Sequence, residues 1–73
     1  MDYNLYYMNT LQRLKLRCSQ KFGSQRAFAA ALGIDPGNLS KILTGVNKPT
    51  AILFLQICDM LDFRLNVKID IDL

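Results

Sequence analysis

The chain has 73 residues, 51% of them hydrophobic, with a formal net charge of +3. That suffices for one small domain with a packed core and is too apolar for a disordered tail. The sequence contains no histidine, no glutamate and no Gly-rich phosphate cradle, which removes the usual general bases and argues against an enzyme.

Residues 1–10, MDYNLYYMNT, mix aromatic and apolar side chains and are read as an N-terminal arm or a short extended piece. They lack the basic start and small-residue cleavage pattern of a secretory signal, and no apolar run approaches the roughly 18 residues of a membrane span. A cytoplasmic location, away from any membrane, is therefore expected. Asn9 or Thr10 offers a cap for a first helix whose buried stripe is Leu11, Leu14 and Cys18, closed by Phe22 before Gly23. Arg13, Arg17 and Lys21 lie mostly off that stripe.

Ser24 is the expected cap of a second helix starting at Gln25, in which Phe28, Ala29 and Leu32 fall at helical intervals on one side. Ala29 is small where two helices must approach closely. Gly33 ends this helix where a left-handed backbone is needed, and Asp35 caps a third helix with Pro36 in its first turn. Ile34, Leu39 and Ile42 supply the facing apolar set, so the pair bends around Gly33 and buries one shared core.

Thr50, after Pro49, caps a last helix, AILFLQICDML, ending near Asp62. Phe54, Leu55, Ile57, Cys58 and Leu61 are available to the core. The additional Ile52, Leu53 and Met60 make this helix apolar over much of its circumference and call for a second partner.

From residue 63 to 73 the period changes. Phe63, Leu65, Val67, Ile69, Ile71 and Leu73 alternate with Arg64, Asn66, Lys68, Asp70 and Asp72, the signature of a strand with one buried face. A lone strand cannot satisfy its backbone; its partner is either the N-terminal arm, Met1 to Met8, or the same strand of a second chain, and antiparallel self-pairing across a two-fold axis is the favoured reading. The expected dimer interface is thus Ile52, Leu53, Met60, Phe63, Leu65, Val67, Ile69 and Ile71. The domain plan is an arm at 1–10, a helical domain at 11–62 and a dimerisation strand at 63–73.

Charge is uneven along the chain. Through Thr50, seven basic residues (Arg13, Lys15, Arg17, Lys21, Arg26, Lys41 and Lys48) face Asp2 and Asp35; beyond it, Arg64 and Lys68 face Asp59, Asp62, Asp70 and Asp72. The basic part coincides with the bent helix pair, as phosphate binding requires, although some of Arg13, Lys15, Arg17 and Lys21 serve only to solvate a helix face. Cys18 and Cys58 sit at apolar helical positions and are read as reduced core residues, with no metal site.

The segment Gln25 to Thr44, QRAFAAALGIDPGNLSKILT, resembles the helix-turn-helix of the lambda repressor and Cro family, also called the XRE family. Gln25, Ala29, Gly33, Ile34, Leu39 and Ile42 fit its pattern, which continues through Gly45, Asn47 and Pro49, so the resemblance covers residues 11–62. The fold it implies is mainly α: a lambda-repressor-like bundle of four to five short helices with a helix-turn-helix, to which a C-terminal β-strand pairing across a dimer is added. The function it implies is recognition of double-stranded DNA without a cofactor.

In that family the second motif helix enters the major groove and the helix before it rests its N-terminus on the backbone. The resemblance makes Gln25 and Ser24 phosphate contacts and places Asp35, Pro36, Gly37, Ser40, Lys41 and Thr44 on the DNA-facing side, with Asp35 read as a cap; Asn38, one step off that pattern, is added as a base or phosphate contact because it lies near the helix start. Lys41 is the best base reader, since the Cro branch also has lysine there and an ammonium donates to guanine O6 and N7. Pro36 and Gly37 depart from the amide and hydroxyl side chains common at those positions. Asn47 and Lys48 lie where the resembled repressors add base or phosphate contacts.

The leading expectation is a homodimeric repressor on a two-fold operator. An antitoxin with a toxin protein as partner is the second reading, because LDFRLNVKI resembles the strand after this domain in some antitoxins. A protein-interaction module without DNA binding is the third.

Overall fold

A computed structural model describes residues 2–64 of the chain. Helix α1, Tyr3–Phe22, starts seven or eight residues earlier than the caps Asn9 or Thr10 would place it. Asp2 is the cap, accepting from the backbone N–H of Asn4 at 3.0 Å and of Leu5 at 3.3 Å. With no glycine or proline from Tyr3 to Phe22 the helix runs on, and Thr10 is buried inside it. The extended arm expected at 1–10 is therefore two further helical turns. Tertiary contact holds them: the Tyr7 ring lies 5.9 Å from that of Phe54, and Met8 packs on the core. Gly23, at φ 87°, ends α1.

Helix α2, Gln25–Leu32, and helix α3, Pro36–Leu43, follow their predicted caps. Ser24 Oγ accepts from the Ala27 N–H at 3.0 Å, and Asp35 Oδ2 accepts from the Asn38 N–H at 3.1 Å. Between them Gly33 adopts φ 80°, and the N–H groups of Gly33 and Ile34 both reach the Ala29 carbonyl, at 2.9 and 3.0 Å. This satisfies the carbonyls at the end of α2 while turning the chain into α3. Helix α4, Ala51–Met60, begins at Thr50, whose Oγ1 accepts from the Leu53 N–H at 3.2 Å.

The core is built from all four helices: Leu11, Leu14 and Cys18 of α1, Phe28 and Ala29 of α2, Leu39, Ile42 and Leu43 of α3, and Ile57 and Cys58 of α4 with Leu61 after it. The rings of Phe22 and Phe28 meet at 5.0 Å across the α1–α2 corner. Both cysteines are free and buried, and burial pushes both thiols up from their ordinary pKa. Leu32 and Ile34 pack at the edge of the core.

One expectation for α4 changes. Leu55, assigned to the core, is 60% exposed, beside Ile52 at 73%. Leu53, Met60 and Phe63, assigned to the dimer interface, are half-buried against their own core. A helix that is apolar over much of its circumference carries a weak periodic signal; Gln56 and Asp59 mark its outer side, and Leu55 lies beside them. Leu65, Val67, Ile69 and Ile71, and the strand expected at 63–73 beyond Arg64, lie outside the described residues. The described residues form four helices and no strand, and none of these helices is long and apolar enough to cross a membrane.

Candidate nucleic-acid interface

The caps that shape the bend also aim α3. Pro36 at the first helical position needs no N–H partner there, and Asp35 spends its carboxylate on the start of the helix. Gly37 has a local reason to be glycine: a Cβ on it would stand 2.9 Å from Asp35 Oδ2. The residue type that reads poorly as a base contact thus keeps room for the cap. With Leu39, Ile42 and Leu43 turned into the core, α3 presents Pro36, Gly37, Asn38, Ser40 and Lys41 to solvent.

The loop after α3 folds back on that helix. The N–H groups of Val46 and Asn47 both donate to the Lys41 carbonyl, at 2.9 and 3.1 Å, and Gly45 donates to that of Ile42 at 3.2 Å. Asn47 and Lys48, both exposed, are held next to the end of α3 rather than trailing from it. Thr44 is exposed too, but its hydroxyl donates to the Ser40 carbonyl at 2.8 Å, leaving its oxygen free only as an acceptor. Ser24 shows the reverse arrangement: Oγ accepts from Ala27, and its proton is available to a phosphate oxygen. Gln25 is half-buried at the start of α2.

Lys41 and Lys48 give this surface its positive charge, and Asp35 is its acidic residue. The start of α1 borders the same loop. A shallow groove of about 510 Å³ is lined by Tyr3, Asn4, Tyr7, Lys48, Pro49 and Phe54, so two exposed α1 residues, Tyr3 and Asn4, stand beside Lys48. Reading residues 1–10 as an arm could not place them there.

Three of the other basic residues lie away from this surface. Lys21 pairs with Asp62 after α4, 41 residues on, and Arg13 and Arg17 line a separate groove on α1. The Lys21 hydrogen bond and its charge, with a smaller contribution from Arg17, hold the Asp62 carboxyl below the usual carboxylate range.

Comparison with curated proteins and with solved structures gives no match. A helix-turn-helix family model matches residues 13–67. That span takes in the whole of α2, the turn at Gly33, α3, the loop and α4. The chain belongs to the XRE, or Cro/C1-type, family of helix-turn-helix proteins, DNA-binding regulators of transcription.

Proposed function

We propose that the protein is a transcriptional repressor that occupies a two-fold operator as a homodimer, with α3 in the major groove of each half-site. The observation that carries this reading is the exposed edge of α3: every apolar residue after Pro36 is turned inward, while Asn38, Ser40 and Lys41 point to solvent beside Lys48. An ammonium at Lys41 donates to guanine O6 and N7, while Ser40 and Asn38 hydrogen-bond to base edges nearby. Pro36 and Gly37 let the start of α3 approach the duplex without reading it by hydrogen bonds, and Thr44 accepts from a base amine.

Phosphate contacts set the register. Ser24 and Gln25, at the positive end of α2, grip the backbone on one side, and Asn47 and Lys48 grip it on the other. One such module offers a small interface, so useful affinity needs two copies on half-sites roughly 34 Å apart. Exposed Ile52 and Leu55 on α4 and the alternating segment from Phe63 favour that pairing. Repression follows by excluding polymerase from the occupied site in the cytoplasm.

Titrating a library of duplexes with the protein over a range of salt tests DNA binding itself. The affinity should fall steeply, with a log-log slope of several units, as phosphate-bound counterions are released. A slope near zero, or no binding at low salt, would sink the reading.

A further inference from the structure

We propose that a groove on the α1 face, ringed by Arg13, Arg17 and Arg64, receives the acidic C-terminal segment of a second copy, with Asp72 and Asp70 as its anions. This rests on the homodimer reading above.

The groove measures about 590 Å³ and runs between the middle of α1 and the chain leaving α4. Tyr6, Asn9 and Thr10 line it from α1, and Phe63 lines it from the chain after α4. Three guanidiniums face one carboxylate, Asp62, and Lys21 already pairs with that carboxylate. No residue of α2 or α3 lines it, so its charge serves something other than the DNA-facing edge. Planar guanidiniums gathered at one groove suit carboxylates held at fixed positions.

The chain carries its own candidate anions. Beyond Arg64 come LNVKIDIDL, with Asp70 and Asp72 on the polar side of the alternation. An extended path puts these two roughly 20 and 26 Å past Arg64, at about 3.3 Å per residue. To return to its own groove the segment would need a tight turn. It has no glycine or proline, and Asn66 is followed by β-branched Val67, which resists the positive φ of a hairpin turn.

Across a two-fold axis no turn is needed. An antiparallel pair centred on Lys68 sets Arg64 opposite the second copy's Asp72 and Asn66 opposite its Asp70. The apolar residues then pair as Leu65 with Ile71 and Val67 with Ile69, on the other face. Because Arg64 is also part of the groove's rim, this register delivers Asp72 of one copy to Arg13 and Arg17 of the other. The two like-charged Lys68 residues at the centre have the second copy's Asp70 as a diagonal neighbour. The groove thereby selects the register: a slip by one residue would put Arg64 opposite an apolar residue and carry the carboxylates to the wrong face.

Sedimentation of the full chain at low salt tests this with two charge-reversed variants, Arg13→Asp/Arg17→Asp/Arg64→Asp and Asp70→Lys/Asp72→Lys. Each alone should dimerise roughly ten-fold or more weakly than the native chain. An equimolar mixture should recover near-native dimerisation, because both grooves of the mixed dimer then meet an opposite charge; recovery also shows that both variants fold. If both variants dimerise like the native chain, or the mixture stays as weak as its components, the groove does not hold a second copy's tail. Loss of DNA affinity in the arginine variant with dimerisation intact would overturn it in favour of a nucleic-acid contact. A native chain that is itself monomeric would overturn the homodimer reading along with the groove, while leaving DNA binding by α3 to its own test.

Discussion

The sulfur of Met8 occupies the space beside Gly45: a Cβ on that glycine would stand 2.9 Å from it. Gly45 sits at φ 82° in the loop that folds back onto α3. The two extra turns of α1 therefore brace the loop that carries Asn47 and Lys48, linking a segment outside the helix-turn-helix to the exposed edge of α3.

Replacing Gly33 and Gly45 by alanine separates backbone strain from this contact. Both glycines have φ near 80°, but nothing lies within 4 Å of a Cβ at Gly33. Gly33→Ala should cost about 1 to 2 kcal/mol, the strain of a left-handed side-chain-bearing residue. Gly45→Ala should cost more, and a Met8→Ala change in the same chain should be less than additive with it. Equal costs in urea unfolding would mean that Met8 simply swings aside.

Tyr7 carries a hydroxyl that is buried without a hydrogen-bond partner among the described residues, and burial pushes its pKa up. Tyr7→Phe keeps the ring against Phe54 and removes the unpaired group. Stability should rise by about 1 kcal/mol, a gain of roughly 4 to 8 °C in Tm for a domain of this size. A lower Tm would show that the hydroxyl is satisfied.

The pair of Lys21 with Asp62 makes stability depend on acid. A carboxyl whose folded pKa is lowered contributes stability above the ordinary Asp value, and that contribution is lost as pH falls through the folded value. The pair is exposed, so the effect is small and screened by salt. Asp62→Asn tests it, because asparagine tolerates the residue's φ of 52°. The native chain should lead the variant in urea midpoint at neutral pH and low salt, and the lead should shrink and vanish as pH falls below the ordinary Asp value of about 4. A constant lead would assign the effect to the turn rather than to charge.

The bend itself was legible residue by residue. Ser24, Gly33, Asp35, Pro36 and Thr50 each mark a helix end for a local reason, and local reasons survive folding. The start of α1 was not: Asn9 and Thr10 are plausible local caps, and the helix reaches back to Asp2 through contacts that only folding supplies, Tyr7 on Phe54 and Met8 beside Gly45. Leu55 was misassigned because α4 is apolar over much of its circumference, so Gln56 and Asp59 mark its outer side only weakly. The arginine groove could not be read at all: Arg13 and Arg17 look like a solvated helix face until the end of α4 brings Arg64 to them. The partition of α3 into a buried and an exposed edge was readable; which exposed residues meet bases is a matter for experiment.

Lys41 and Lys48 should separate specificity from affinity. Lys41→Ala is expected to cost roughly 1 to 3 kcal/mol and to relax one base position, whereas Lys48→Ala should weaken all sequences alike and reduce the salt slope by about one unit. Competition binding against a randomised site distinguishes them. An unchanged base preference in the Lys41 variant would remove that residue from base reading.

Selection of bound sites from random duplex DNA tests the central claim most directly. The native chain should enrich a two-fold sequence with half-site centres about one helical turn, roughly 34 Å, apart. The Lys41→Ala variant should lose preference at one position in each half. Enrichment of no sequence at all, with binding equal across the library, would contradict sequence reading by α3.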